Sequence, residues 1–215
     1  MSRKDIFITI LVGIFTGLIW TGIFVRLGTF DGFGVGGAVW GLVVVVPIIF
    51  VFGLYLGRWL SKFASFFSSF AKFVMVGFFN AGIDLGIFNL LMFLTGIERG
   101  ISVSSFKAAA FLAALINSYY WNKHWAFKAS ETKEGTREFS KFAMVSVGGL
   151  VANVGATTLI ILIFIPQFGF AQLSWNNLAA VVGNIAGLIW NFIGYRFIVF
   201  KSNGRVTSNG QSEQQ

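Results

Sequence analysis

The sequence predicts an all-α integral membrane protein: six transmembrane helices, both termini on the cytoplasmic side, and the last four helices forming two parallel helix-pair repeats. Three observations lead there. The 215 residues are 56% hydrophobic, 18% aromatic and only 11% charged, with a mean hydropathy of +0.78, which no ordinary soluble domain matches. Uncharged apolar runs recur at lengths that cover a hydrocarbon core of roughly 30 Å, about 20 residues at helical rise. The basic residues gather on one side of the path those runs trace.

The opening, "MSRKDIFITILVGIFTGLIW", puts basic residues before an apolar run, as a secretory signal does. The run lasts about 20 residues and no small-residue cleavage site follows, so it is expected to stay as a first membrane helix, near 6–26. Further helices are expected near 37–57, 72–96, 104–125, 141–165 and 175–197. The last two divide at "IPQFGFAQLSWNN", where Pro166 and Gly169 stop one helix and Ser174 can cap the next. Between the second and third lies "RWLSKFASFFSSFA", residues 58–71, too polar to span. Its Phe63, Phe66, Phe67 and Phe70 oppose Ser65 and Ser68 at helical spacing, which predicts an amphipathic segment lying in the cytoplasmic interface. The expected organisation is a two-helix leader (1–57), this interfacial segment, a four-helix domain (72–201) and a polar tail (202–215) expected to be disordered.

Arg3, Lys4, Arg58, Lys62, Lys72, Lys123, Lys128, Lys133, Arg137, Lys141, Arg196, Lys201 and Arg205 fall on one side of this path; only Arg26, Arg99 and Lys107 fall on the other. The richer side is read as cytoplasmic, in a multi-pass protein of the cytoplasmic membrane. The net charge of +8 is mostly this bias, suits anionic headgroups and requires no nucleic acid. Absent cysteine removes disulfides, thiolate metal sites and cysteine nucleophiles. One histidine and eight acidic residues leave little for a metal, and there is neither a D-x-D motif nor a nucleophile-base pair. No enzyme activity, metal or cofactor is expected.

An internal repeat is visible. "FAKFVMVGFFNAGID" (70–84) over "FSKFAMVSVGGLVAN" (139–153) pairs Lys72 with Lys141, Phe73 with Phe142, Met75 with Met144, Val76 with Val145 and Asp84 with Asn153. "SYYWNKHWAFK" over "NFIGYRFIVFK" pairs Lys123 with Arg196, Phe127 with Phe200 and Lys128 with Lys201. The repeats are 72–128 and 141–201. Two crossings per unit make them parallel, related by an axis along the membrane normal.

"KFVMVGFFNAGIDLGIFNLL", followed about thirty residues later by "INSYYWNKHWAFK", resembles the GtrA-like family of small four-helix membrane proteins. Gly77, Asn80 and Asp84 fill its first motif; Asn122, Lys123, Trp125 and Phe127 fill its Asn-basic-x-Trp-x-Phe closing signature. The resemblance covers residues 70–201 and is silent on 1–57. It implies a role in cell-surface polysaccharide synthesis, by translocating a polyprenyl-phosphate-linked sugar across the cytoplasmic membrane.

The residues leave several readings open. Asp84 lies about 18 Å along its helix from Lys72, near mid-membrane, where a carboxylate usually faces a cavity or partner. It is either part of a substrate or proton path, with Asn80 one turn away and Asn153 in the symmetric place, or a buried carboxyl that fixes packing. Asn117, Asn184 and Asn191 either line a polar groove or bind helices together. Lys72, Lys123, Lys141 and Arg196, with Asn122, would suit a lipid phosphate if they converge; otherwise they signal topology. Trp121, Trp125 and Tyr195 are belt residues at headgroup depth or stacking surfaces for a sugar. His124, with no partner at helical spacing, reads as an interfacial bystander. The Gly82/Gly86 and Gly183/Gly187 pairs read as close helix contacts.

The expected partners are therefore a polyprenyl-phosphate-linked sugar or an anionic lipid, a membrane glycosyltransferase and a second copy of the chain. Two other functions compete with the translocator: a non-transporting accessory subunit of a polyprenyl-phosphate glycosyltransferase, and a proton-coupled exporter of small hydrophobic cations. The basic cytoplasmic face argues against the exporter.

Overall fold

A computed structural model describes residues 2–27, 36–97, 101–129, 135–163 and 172–200. The protein is an all-α membrane protein, and its described residues form six long helices: α1 Arg3–Leu27, α2 Leu42–Leu60, α3 Phe67–Thr95, α4 Ile101–Trp121, α5 Gly135–Ile163 and α6 Gln172–Gly194. A short 3-10 turn, Gly36–Gly41, leads into α2. Five of these regions have the length and hydropathy of membrane spans, and α4 adds 21 residues. Apolar side chains cover their outer faces, as on α2 (Val44, Ile48, Phe52) and α5 (Val147, Leu150, Val151), in keeping with a lipid environment.

Two boundaries are defined more closely by the structure. The amphipathic stretch 58–71 is divided between elements: α2 runs on to Leu60, residues 61–66 turn, and Phe67 already begins α3. The Phe/Ser periodicity is real but is shared between a turn and the first helical residues of a span. Second, α6 starts at Gln172, so Ser174 lies inside its first turn and is not its cap. Pro166 and Gly169, and the 202–215 tail, lie outside the described residues.

Local chemistry sets the described ends. Ser2 caps the start of α1: the Asp5 amide donates to Ser2 Oγ at 3.1 Å, and that hydroxyl donates to Asp5 Oδ2 at 3.1 Å. Gly96 ends α3 at φ +67°, its amide donating to the Met92 carbonyl, a left-handed cap that glycine adopts without a Cβ clash.

The chain forms two compact units, Met1–Lys128 and Ala129–Gln215. In the first, α1 and α2 pack on each other and on α3, with α4 against α3. Its core joins Val12, Val46, Phe50, Leu54, Met75, Val76, Phe79 and Trp125. A Cβ at Gly13 would lie 2.6 Å from Pro47 Cα, and one at Gly17 would lie 2.5 Å from the Leu42 carbonyl oxygen, so these small residues let the two backbones touch. Gly82 and Gly86 face Ile19 and Trp20, giving α1 its seat on α3. The buried Thr9, Thr16 and Thr21 hydroxyls donate to the carbonyls of Asp5, Val12 and Val39. In the second unit α5 and α6 cross at Gly187, where a Cβ would lie 2.8 Å from the Gly149 carbonyl oxygen. The close-packing role expected of Gly82, Gly86 and Gly187 is thus what they perform.

Candidate functional site

The shared aromatic and basic endings of α4 and α6 are π-helical turns. Asn122–Ala126 and Tyr195–Val199 each widen the helix by one residue, closed by the Phe127 amide on the Asn122 carbonyl (2.9 Å) and the Phe200 amide on the Tyr195 carbonyl (2.8 Å). The segments coincide in the repeat alignment, so the internal duplication extends to an uncommon backbone form. Side chains repeat it too. Phe73 meets Phe127 at 6.3 Å and 52°, and the equivalent Phe142 meets Phe200 at 6.1 Å and 47°. Phe142 is also stacked on Tyr195 at 4.3 Å, and Tyr195 and Ser146 share a 2.7 Å hydroxyl hydrogen bond.

In the first unit, Lys72 is 4% exposed and donates to Asp5 Oδ1 at 2.5 Å, with its Nζ also 5.6 Å from the Trp125 ring centre. A cation expected to meet a ligand phosphate therefore meets a carboxylate from α1. Trp125 is the signature aromatic, and its buried ring supplies the other electron-rich wall. Lys123 is buried beside Tyr119, donating to its hydroxyl at 3.3 Å. Asn122, 1% exposed, donates to the Ser118 carbonyl at 2.8 Å; its Oδ1 is buried without a hydrogen-bond donor among the described residues. In the second unit Lys141 is half-buried, and the half-buried Arg196 lies 5.6 Å from the Phe197 ring centre. Ile198 stands where the first unit has Trp125, so the lysine-over-indole contact belongs to one repeat.

Deeper along each helix pair, carboxamides bridge the helices. Asn117 Nδ2 donates to Asn80 Oδ1 at 2.6 Å between α4 and α3, and Asn153 Nδ2 donates to Asn184 Oδ1 at 2.7 Å between α5 and α6. Asn80 Nδ2 and Asn191 Oδ1 are buried with no hydrogen-bond partner among the described residues. Asn191 packs against Gly149, where any Cβ would strike its carboxamide. Asp84 is half-buried one turn beyond Asn80, and one of its carboxylate oxygens is fully buried.

The structure thus brings Lys72 to Trp125, Lys123 to Tyr119, Asn80 to Asn117 and Asn153 to Asn184. Trp125 and Tyr195 are each 4% exposed and sit inside the helix packing; Trp121 is half-buried against Phe79 and Trp125. His124 does have a neighbour at helical spacing, contrary to expectation: its ring lies 4.6 Å from that of Tyr120. Sequence reasoning missed Asp5 as the acceptor for Lys72. Its signal was an acidic residue at the start of a span whose basic neighbours face the same membrane surface.

No solved structure matches the chain. It is 33% identical over 129 residues to the uncharacterized membrane protein YngA of Bacillus subtilis (strain 168), an alignment covering 60% of this chain and 77% of that one. The family GtrA/DPMS, transmembrane domain, matches residues 72–200, from the ion-paired lysine to the last residue of the second π-turn closure. The chain belongs to the GtrA/DPMS transmembrane-domain family.

Proposed function

We propose that this GtrA-family membrane protein moves a polyprenyl-phosphate-linked sugar, or a related lipid carrier, across the cytoplasmic membrane for cell-surface glycan synthesis. The observation that carries the reading is the duplicated layout: each helix pair has a basic π-turn at one end and an interhelical amide pair deeper along the same helices. Within the first unit Lys123 and Asn122, and within the second unit Arg196 and Lys141, are each assigned to a phosphate. Arginine offers bidentate hydrogen bonds and lysine a point charge. Asn80, Asn117 and Asp84 in the first unit, and Asn153 and Asn191 in the second, are each assigned to sugar hydroxyls, while the polyprenyl tail stays in lipid. Lys72 leaves this set, because Asp5 already neutralises it.

The same ion pair favours a second reading, an accessory subunit of a polyprenyl-phosphate glycosyltransferase, in which the basic end is structural and no path is needed. The two separate in proteoliposomes carrying a short-chain polyprenyl-phosphate sugar. Translocation slowed at least about tenfold by Asp84→Asn, in a variant that elutes and folds normally, fits the translocator. Transport indistinguishable from empty liposomes for the parent protein would leave the accessory subunit.

A further inference from the structure

A groove of about 670 Å³ opens between α1 and α3, at the end of α1 remote from Arg3 and Lys4. Ile19, Gly22 and Ile23 form one wall, Ile83, Ile87 and Leu90 the other with Asn89 among them, and Arg26 lies in its lining beside Phe93. Gly22 borders open space: a Cβ there would meet nothing within 4 Å. The Arg26 guanidinium carbon stands 4.8 Å from the Phe93 ring centre, so the cation is held against the groove wall.

Two features select an occupant. The α1 residues that line it are apolar from Leu18 to Val25, and Leu18 to Arg26 spans about 12 Å of helix, a depth suited to the upper part of a hydrocarbon chain. Its charge also runs against the rest of the sequence. Arg26 is one of three basic residues on the face the charge bias assigns outside, against thirteen on the other. Topology does not ask for an arginine there, and an α-helix C-terminus favours a cation without needing a groove beside it. An arginine over an apolar slot is what a phosphate head above a hydrocarbon chain requires.

We propose that the α1–α3 groove is a binding site for an anionic phospholipid of the outer leaflet, with one chain against Gly22 and the headgroup phosphate on Arg26. It is made by the leader helix and lies apart from the basic π-turns, so its failure would leave the function proposed above untouched.

The test uses the full chain in vesicles doped with chain-spin-labelled phosphatidylglycerol or phosphatidylcholine, reading the motionally restricted fraction. The parent protein should restrict phosphatidylglycerol more than phosphatidylcholine. Arg26→Ala should lower that preference about fivefold, as expected for one basic residue near the headgroups, and Arg26→Lys should keep most of it. Gly22→Leu, which fills open space, should release both lipids from this site. A preference unchanged in Arg26→Ala would overturn the proposal, assigning selectivity to the cytoplasmic basic face. Equal restriction of the two lipids by the parent protein would also overturn it, as would a restricted fraction unchanged in Gly22→Leu.

Discussion

Lys72 donates to Asp5 across 2.5 Å, tying the first residues of α1 to the start of α3 within the first unit. Asp5 lies outside the region that matches the family and Lys72 opens it, so the contact ties the leader to the family domain. Removing one partner of a buried pair typically costs about 3–5 kcal/mol; because Asp5 keeps 15% exposure, the lower end is expected. Asp5→Ala should therefore destabilise by about 3 kcal/mol in detergent denaturation. Asp5→Ala with Lys72→Met should recover most of the loss, since no buried charge remains. Additive losses would show that the pair is not energetically coupled.

The interhelical amides give a second, smaller effect. Hydrogen bonds between membrane helices average about 0.6 kcal/mol and reach about 1.7 kcal/mol. A double-mutant cycle of Asn80→Leu and Asn117→Leu should return a coupling in that range, as should Asn153→Leu with Asn184→Leu. Zero coupling in both cycles would remove the amide pairs from the account of how each helix pair is held.

Glycines separate cleanly by what surrounds them. Gly17→Ala places a methyl against the Leu42 carbonyl oxygen and should cost about 1–3 kcal/mol by overpacking. Gly155→Ala, inside α5 with nothing within 4 Å of a Cβ, should be neutral or stabilise by up to about 1 kcal/mol through better helix propensity. Thermal unfolding in one detergent measures both, and equal effects at the two sites would contradict the close α1–α2 contact.

The orientation has its own check, helped by a chain without cysteine. Thr95→Cys, at the end of α3, should react with a membrane-impermeant maleimide in intact cells. Ser61→Cys, in the turn after α2, should react only after lysis. The reverse pattern would invert the topology on which the placement of the basic end rests.

Much of this architecture was legible because membranes impose simple rules. Apolar length gave the six helices, and paired motifs gave the repeat; that Phe73 meets Phe127 and Phe142 meets Phe200 came only from the structure. What stayed hidden depends on packing over distance. A five-residue π-turn leaves no periodicity of its own, so nothing in "NKHWA" or "YRFIV" distinguishes it from α-helix. The Lys72–Asp5 pair spans 67 positions, and Lys72 read as available for a ligand until α1 was folded beside it. The Phe/Ser stripe of residues 58–71 did not show the division at 61–66, because helical spacing over one or two turns is compatible with a turn and a helix start placed end to end.

The basic π-turn of each unit is proposed to hold a polyprenyl-carrier phosphate, and the lipid the protein retains tests this most directly. The full chain, purified in mild detergent from a host that makes polyprenyl-phosphate sugars, would be compared by native mass spectrometry with a folded Lys123→Ala plus Arg196→Ala variant and with Asp5→Ala plus Lys72→Met. The account predicts a polyprenyl-phosphate species on the parent protein, kept by the Asp5/Lys72 double variant and lost from the Lys123/Arg196 one. Bulk phospholipid alone, in equal amount on all three, would contradict it.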